Sequence, residues 1–293
     1  MSNVVDQIKE QFRLGDNLTK LIYLNVAVFI AMLIVRMISF LVTGQPESFN
    51  YYVRLWLALP SDPIRFITRP WTLLTYMFLH ADFWHVFWNM LILFFSGRIF
   101  LEYLGDRRLL TVFIYGGLAG GMLFFIMYNI SPAFTAAVPL VGASAGVVAV
   151  LVAAATYVPN MPVRLFFILE VKLWMVAALA VISYIAGVSG NNSGGHLAHL
   201  GGAALGYIFV LQLRKGNDWS IGFYKILDTI KGWFESKPKL KTVYSKGDYR
   251  STSKKEAQND QQKMDAILDK IGKSGYEKLT KEEKEFLFKY GKK

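Results

Sequence analysis

The chain has 293 residues, of which 54% are hydrophobic, and its formal net charge is +11. The apolar share exceeds the roughly 45 to 50% of soluble domains, so the composition favours a membrane protein. The absence of cysteine excludes disulfides, thiolate metal ligands and a cysteine nucleophile, which leaves serine, threonine, lysine or a carboxylate for covalent catalysis. Much of the positive charge follows Arg214, so it belongs to the tail and points only weakly to acidic lipids or RNA.

Six apolar runs are long enough to cross a hydrocarbon core of about 30 Å, which takes about 20 helical residues. Their ranges are 21–41, 83–101, 109–128, 140–158, 173–188 and 197–213. The first run is too long for a removable signal sequence and has no convincing cleavage site, so it is expected to remain as the first helix.

Lysine and arginine predict the orientation of these runs. Segments 1–20, 102–108 and 159–172 and the tail carry basic residues, whereas loops 129–139 and 189–195 carry none. By the positive-inside rule both termini are cytoplasmic. The first outer loop, 43–82, does contain arginines, and its aromatic and charged residues predict amphipathic structure at the membrane interface. The predicted fold class is all-α, a polytopic membrane bundle of six helices.

Few ionisable or strongly polar residues lie inside these runs, and each is expensive there, so each is a candidate for function. Arg36 and Arg98 lie near helix ends, where long side chains reach the interface, so we expect structural roles for them. The other candidates are His85, Asn89, Ser144 and His199.

Ser144 and His199 are predicted to lie at the same depth. Each is 14 positions from the cytoplasmic end of its run, at residues 158 and 213, which is about 21 Å along a helix and roughly 9 Å below the outer surface. Glycines four residues apart flank Ser144 or follow His199 and would let the two helices approach. Spacing alone leaves open that these glycines only pack helices, since run 109–128 repeats it without a reactive residue.

His85 and Asn89 lie four residues apart, on one face of the second helix near its outer end. Imidazole and amide donors that face an activated serine are what a tetrahedral oxyanion requires. The alternative is a hydrogen-bonded polar pair that ties helices together.

In their order along the chain, these motifs resemble those of the rhomboid intramembrane serine proteases, over roughly residues 18–214. They are HxxxN at His85 and Asn89, ExxG at Glu102 and Gly105, GxSxG at Gly142, Ser144 and Gly146, and AHxxGxxxG from Ala198 and His199 to Gly202 and Gly206. GxSxG alone is weak, because soluble hydrolases also contain it. The ordered set, on spans of the expected orientation, is specific.

The resemblance implies a catalytic dyad of Ser144 and His199. His199 would accept the serine proton during attack on a peptide carbonyl, and the Ser144 amide, His85 and Asn89 would form the oxyanion hole. The glycines that follow distinguish His199 from His196, which we expect to be exposed or interfacial.

Two further positions bear on the resemblance. Some relatives place an aromatic residue one turn after the serine, against the histidine, but this position is Val148 here, so His199 must be oriented in another way. His80 lies at the junction of the first outer loop and the second helix, and we expect it to have a structural hydrogen-bonding role.

We expect neither a metal nor another cofactor, because HExxH is absent and no carboxylate lies in a span near the histidines. The implied substrates are transmembrane helices of other proteins, cut near their outer ends where a segment can unwind. The implied location is a bacterial cytoplasmic membrane, with the lipid bilayer as surroundings and no nucleic-acid partner.

The predicted domains are a cytoplasmic segment at 1–20, a six-helix protease domain at 21–213, a basic linker at 214–262 and a helical hairpin at 263–293. The linker is predicted to contain an interfacial helix around 219–234. In the hairpin, Thr280 and Glu283 have the spacing of a capping box. It resembles a hairpin appended to some bacterial rhomboids, and the sequence leaves open whether it binds a cytoplasmic partner, a regulator or the protein's own core.

Two other functions compete with the protease. A catalytically inactive rhomboid-like protein would bind transmembrane clients without cutting them, although such proteins usually lack the serine or the histidine. A small transporter or channel would show inverted repeats or ionisable residues at mid-span, and the sequence shows neither.

Overall fold

The computed structural model describes residues 4–165, 169–234 and 249–290, and most of them are helical. The α-helices are α1 (Val4–Leu14), α2 (Asn17–Thr43), α3 (Glu47–Leu57), α4 (Pro63–Thr68), α5 (Thr72–Thr75), α6 (Phe83–Leu104), α7 (Asp106–Ile130), α8 (Ser144–Tyr157), α9 (Leu173–Gly187), α10 (Ser193–Arg214), α11 (Trp219–Phe234), α12 (Tyr249–Ser274) and α13 (Lys281–Tyr290). By length and composition, α2, α6, α7 and α10 can each cross a membrane. The chain is therefore a helical membrane protein.

Helix α2 shows how the protein meets lipid. Only 11% of its most apolar window is buried, and Ile30, Leu33 and Met37 are among its exposed apolar side chains. An exposed apolar surface of this extent on a helix long enough to span is typical of lipid contact. Arg36, on the same helix, pairs with Glu47 at 3.2 Å, in keeping with a structural role.

Helix α8 begins later than the sequence predicts. The fourth run was expected to start at residue 140, but β2 (Pro139–Leu140) is extended and pairs antiparallel with β1 (Leu59–Pro60). Gly142 then adopts a φ of 132°, which side-chain-bearing residues rarely tolerate. The predicted start is therefore wrong, and Ser144 is the first residue of its helix.

A second short sheet follows α8. Strands β3 (Pro162–Leu165) and β4 (Leu169–Lys172) pair antiparallel ahead of α9. The all-α prediction misses these two short pairings, although it describes the bulk of the fold. Helices α8 and α9 have 14 and 15 residues, which is short for a span.

Helix α10 begins earlier than predicted, at Ser193 instead of residue 197. The Asn192 side chain accepts a hydrogen bond from the Gly195 amide at 3.3 Å, so it caps the helix N-terminus. The glycine-rich stretch expected to form a loop is consequently the first turn of the helix.

The centre of the bundle consists of α7, α8 and α10, which pack through glycine. A Cβ on Gly120 of α7 would lie 2.5 Å from the Ala198 carbonyl oxygen of α10, and one on Gly146 of α8 would lie 2.6 Å from the Phe113 carbonyl oxygen of α7. Such distances are too short for any side chain, so glycine is required for these backbones to come so close.

The segment between α2 and α6 folds back onto the bundle. The Arg69 guanidinium lies 4.3 Å from the Trp56 ring centroid, and Trp56 stacks on Trp71 at 6.0 Å. Tyr76, in a 3₁₀ turn (Tyr76–Phe78), donates its hydroxyl to the Gly117 carbonyl at 2.6 Å and accepts the Gly142 amide at 3.0 Å. The loop is thus bonded to α7 and to the residues just ahead of Ser144.

The chain divides into two compact units, residues 1–235 and 236–293. In the first, the helix expected around 219–234 is α11, and Arg108 pairs with Asp218, just ahead of it, at 2.8 Å. The predicted boundaries at 20, 213 and 262 stay predictions.

The second unit contains α12, a 3₁₀ turn (Tyr276–Lys278) and α13. The Thr280 amide donates to Glu283 at 2.8 Å, and the Glu283 amide donates to the Thr280 hydroxyl at 3.3 Å, which are the two reciprocal bonds of a capping box. Helix α12 begins at Tyr249, inside the predicted linker, of which residues 235–248 lie outside the described residues.

Candidate active site

Ser144 and His199 are in direct contact. The distance from His199 Nε2 to Ser144 Oγ is 2.7 Å, which is hydrogen-bond length. Ser144 opens α8, and His199 lies in the second turn of α10. The structure therefore brings together the two residues that the sequence nominates as nucleophile and base.

The glycines of α10 explain how the two helices come so close. A Cβ on Gly202 would collide with the Ala145 carbonyl oxygen, and one on Gly206 would collide with the Ala149 carbonyl oxygen. The two contacts are one helical turn apart on both helices. Backbone therefore lies on backbone along this interface, and its first contact is beside Ser144.

His85 lies next to the serine, across Gly142. A Cβ on Gly142 would be 2.8 Å from His85 Nε2 and 3.4 Å from Ser144 Oγ. The Ala81 amide donates to His85 Nδ1 at 3.3 Å, so a neutral His85 carries its proton on Nε2. The ring nitrogen nearest Gly142 is thus the hydrogen-bond donor.

The Ser144 amide and Asn89 are the other two expected donors. Ser144 is the first residue of α8, so its N–H is one of the four that a helix leaves without an internal acceptor, and the helix N-terminus favours negative charge. Asn89 is 6% exposed and donates to the His85 carbonyl at 2.8 Å. Its described hydrogen bond is therefore within its own helix, which leaves its second amide hydrogen for another acceptor.

Tyr184 of α9 is a contact of the site that the sequence does not reveal. Its ring centroid lies 4.4 Å from that of His199, with 55° between the planes. The sequence requires some means of orienting His199, because Val148 takes the place of an aromatic residue. Tyr184 gives no separate signal, since an aromatic residue in an apolar run is equally typical of lipid contact.

His196 lies three residues before His199 on α10. It is partly buried within α10, and a Cβ on Gly187 of α9 would collide with its ring. Its ring is perpendicular to that of His199, at 6.0 Å between centroids. The sequence analysis expects His196 to be exposed or interfacial; its side chain is not fully exposed, and a position at the membrane interface stays a prediction.

His80 is buried, with 6% exposure, beside His85. Their ring centroids are 5.1 Å apart in an edge-to-face arrangement. Neither ring nitrogen of His80 makes a hydrogen bond of standard geometry among the described residues, although the Phe78 backbone lies close enough to favour a proton on the ring. The structural hydrogen-bonding role expected for His80 stays a prediction. Burial, aided by the nearby His85, lowers the pKa of His80 to about 4.

The arrangement supports nucleophilic chemistry at Ser144, with an adjacent base and donors near the nucleophile. Among the described residues, no group of three histidine, aspartate or glutamate side chains could hold a metal ion. Fold and site thus define a polytopic helical membrane protein with a serine–histidine pair between closely packed helices.

A family model described as the Rhomboid domain matches residues 68–216, which is half of the chain. The chain therefore belongs to the rhomboid family. A second model, described as a family of unknown function (DUF6576), matches residues 252–293.

Two curated relatives are similar to the chain. RHOMBOID-like protein 12, mitochondrial, of Arabidopsis thaliana is 29% identical over 158 residues, or 50% of this chain and 47% of the relative. Rhomboid protein 1, mitochondrial, of Saccharomyces cerevisiae is 25% identical over 172 residues, or 56% of this chain and 47% of the relative. The chain thus spans about half the length of the curated relatives it matches.

Proposed function

We propose that this protein is an intramembrane serine endopeptidase that cleaves transmembrane segments of other membrane proteins near the outer membrane face. The observation that carries the proposal is the 2.7 Å contact between His199 Nε2 and Ser144 Oγ, inside a rhomboid domain. A hydroxyl held at this distance from an imidazole nitrogen is the geometry of an activated serine nucleophile.

In the proposed reaction, His199 accepts the Ser144 proton as Oγ attacks the scissile carbonyl. The imidazolium then donates this proton to the leaving amine, which leaves an acyl-serine. Water hydrolyses the ester with His199 again as base, and the serine is regenerated. No carboxylate is assigned to the far side of His199, since an unpaired carboxylate buried among apolar helices is costly.

The oxyanion of the tetrahedral intermediate would be stabilised by the Ser144 amide, His85 Nε2–H and Asn89. The amide at the start of α8 and the donor tautomer of His85 support the first two assignments. Asn89 would contribute its free amide hydrogen. Water would reach Ser144 through a polar cavity open to the outer side, because polar structure at that depth must be shielded from lipid.

We also propose six spans with both termini cytoplasmic, in a bacterial cytoplasmic membrane. The distribution of lysine and arginine between the segments supports this orientation. The short helices α8 and α9 would be the fourth and fifth spans, α8 completed on the outer side by the extended residues ahead of Ser144. The second unit would then be a cytoplasmic appendage.

Labelling with a fluorophosphonate probe in detergent tests the dyad. Wild type is compared with Ser144→Ala and His199→Ala, and the matched control is Ser183→Ala, an exposed serine of α9. We expect labelling of wild type and of the control, and its loss in both dyad variants.

The competing function is an inactive rhomboid-like protein that binds transmembrane clients. A folded, monodisperse wild type that takes up no probe, or equal labelling in all four proteins, would overturn the protease proposal in favour of client binding. A fluorogenic transmembrane substrate, cut by wild type and not by Ser144→Ala, then separates peptide hydrolysis from mere serine reactivity.

A further inference from the structure

The imidazole of His199 is hydrogen-bonded on one side only. Nε2 contacts Ser144, whereas Nδ1 is buried and has no hydrogen-bond partner among the described residues. In serine hydrolases generally, a third group bonded to the far nitrogen fixes the ring orientation. Because His199 has no such hydrogen bond at Nδ1, another contact must fix the orientation of its ring.

Two aromatic rings flank the imidazole. Tyr184 of α9 lies 4.4 Å away between centroids, tilted by 55°, and His196 lies 6.0 Å away at 90°. The Tyr184 centroid distance is just below the roughly 4.5 to 7 Å of paired aromatic rings, and the tilt lies between the stacked and edge-to-face arrangements. Tyr184 is therefore the ring in closest contact with the proposed base.

The contact belongs to a matched register between two helices. Tyr184 and Gly187 are three residues apart on α9, and His196 and His199 are three residues apart on α10, so each pair shares one helix face. Tyr184 meets His199, while the space at Gly187 accommodates the His196 ring. A shift of α9 by one turn would break both contacts, so the register itself holds Tyr184 against the imidazole.

We infer that Tyr184 is a positioning residue for His199, an inference that rests on the proposed protease function. Its ring restricts rotation of the imidazole and keeps Nε2 directed at Ser144 Oγ. The face of the tyrosine ring also attracts the positive charge that the imidazole acquires during attack. Tyr184 acts through its ring, so its hydroxyl is dispensable.

The test compares Tyr184→Phe and Tyr184→Leu with the control Ile182→Leu, an exposed position of α9. The readouts are kcat and KM for a fluorogenic transmembrane substrate and the rate constant of fluorophosphonate labelling per folded molecule. We expect Tyr184→Leu to lower kcat and the labelling rate about 10- to 100-fold with KM little changed, because misplacing a catalytic group by about 1 Å has costs of this order. We expect Tyr184→Phe to keep the wild-type values, because it retains the aromatic ring.

Several results would overturn the inference. One is wild-type kinetics in Tyr184→Leu. Another is an equal loss in Tyr184→Phe, which would assign the effect to the hydroxyl. A third is activity that falls only in step with the folded fraction and Tm in Tyr184→Leu, since that would show packing alone. The same series measures labelling of wild type and of Ser144→Ala. Loss of labelling in Ser144→Ala supports the protease proposal, so a failure of that proposal can be told apart from a failure of the inference about Tyr184.

Discussion

Helix α10 has two neighbours at the site, and it meets them in different ways. Against α8 it packs backbone on backbone, with Gly202 and Gly206 against the Ala145 and Ala149 carbonyls. Against α9 it packs through side-chain rings, Tyr184 on His199 and His196 at Gly187. The first interface fixes how far His199 is from Ser144. The second, by our inference, sets which way the His199 ring is turned.

The two interfaces should therefore tolerate mutations to different degrees. A carbonyl of a neighbouring helix cannot move without moving the helix, whereas a ring can rotate or shift by a few tenths of an ångström. We therefore expect mutations at the α8 interface to act on distance and to be severe. Mutations at the α9 interface act on orientation and are milder.

The largest effect is expected at His85, which lies beside Gly142, two residues before Ser144. His85→Phe keeps a ring beside Gly142 and His80 but removes the Nε2–H donor. We expect kcat to fall about 10²- to 10³-fold with KM little changed, as for loss of an oxyanion donor elsewhere. Turnover of the transmembrane substrate measures it, with the exposed neighbour Trp84→Phe as control. An unaltered kcat would remove His85 from the oxyanion hole.

The next largest effect is expected at Gly202. Gly202→Ala places a methyl group against the Ala145 carbonyl and forces α10 away from α8, so we expect the labelling rate to fall about 10²-fold. Gly222→Ala on α11 is the matched control, because a Cβ there meets nothing within 4 Å. If Gly202→Ala labelled as fast as the control, backbone contact would not be what sets the serine–histidine distance.

Gly187→Ala tests the other face of α10 with the same added methyl group. The obstacle here is the His196 ring, a side chain that can shift, so we expect a clearly smaller loss of labelling rate than for Gly202→Ala. The labelling rates of the two variants are measured side by side, on proteins purified in the same way. A loss at Gly187 that equals or exceeds the loss at Gly202 would contradict it.

The smallest effect on catalysis, and a distinct effect on stability, is expected from His80, which belongs to neither face. Because its pKa is about 4 in the folded protein and 6.5 ordinarily, the unfolded state binds a proton between these pH values and the folded state does not. Stability is therefore intact above pH 6.5 and declines as the pH falls, by up to about 3 kcal/mol from this group.

The measurement is Tm in detergent at pH 7 and at pH 4.5 for wild type and His80→Gln. The drop in Tm on acidification should be smaller in His80→Gln, which has no imidazole to protonate. Equal drops in the two proteins would show that the burial of His80 does not make the protein acid-sensitive.

The sequence motifs predict the residues of the candidate active site better than hydropathy predicts the bounds of the helices that carry them. The order of HxxxN, GxSxG and AHxxGxxxG identifies Ser144, His199 and His85, and the structure brings these three together. Their roles in catalysis stay predictions until labelling is measured.

Other features escape the sequence for identifiable reasons. Hydropathy cannot show that residues 139–140 pair with a distant loop segment, so the start of α8 is misplaced. It cannot show that Asn192 caps α10, so the first turn of this helix is predicted to be a loop. Tyr184 is hidden because its role depends on which turn of α9 meets which turn of α10, and only packing fixes that register.

The hydrogen bonds of Tyr76 give the loop between α2 and α6 a role beyond connecting two helices. Its hydroxyl is fastened to Gly117 in α7, and its carbonyl holds the Gly142 amide two residues before Ser144. Strain applied to residues 59–79 thus reaches Ser144 through one hydrogen bond and two peptide units. In a chimaera between two rhomboids, exchanging this loop would therefore also exchange a contact that helps to position the serine, even if all the helices were kept.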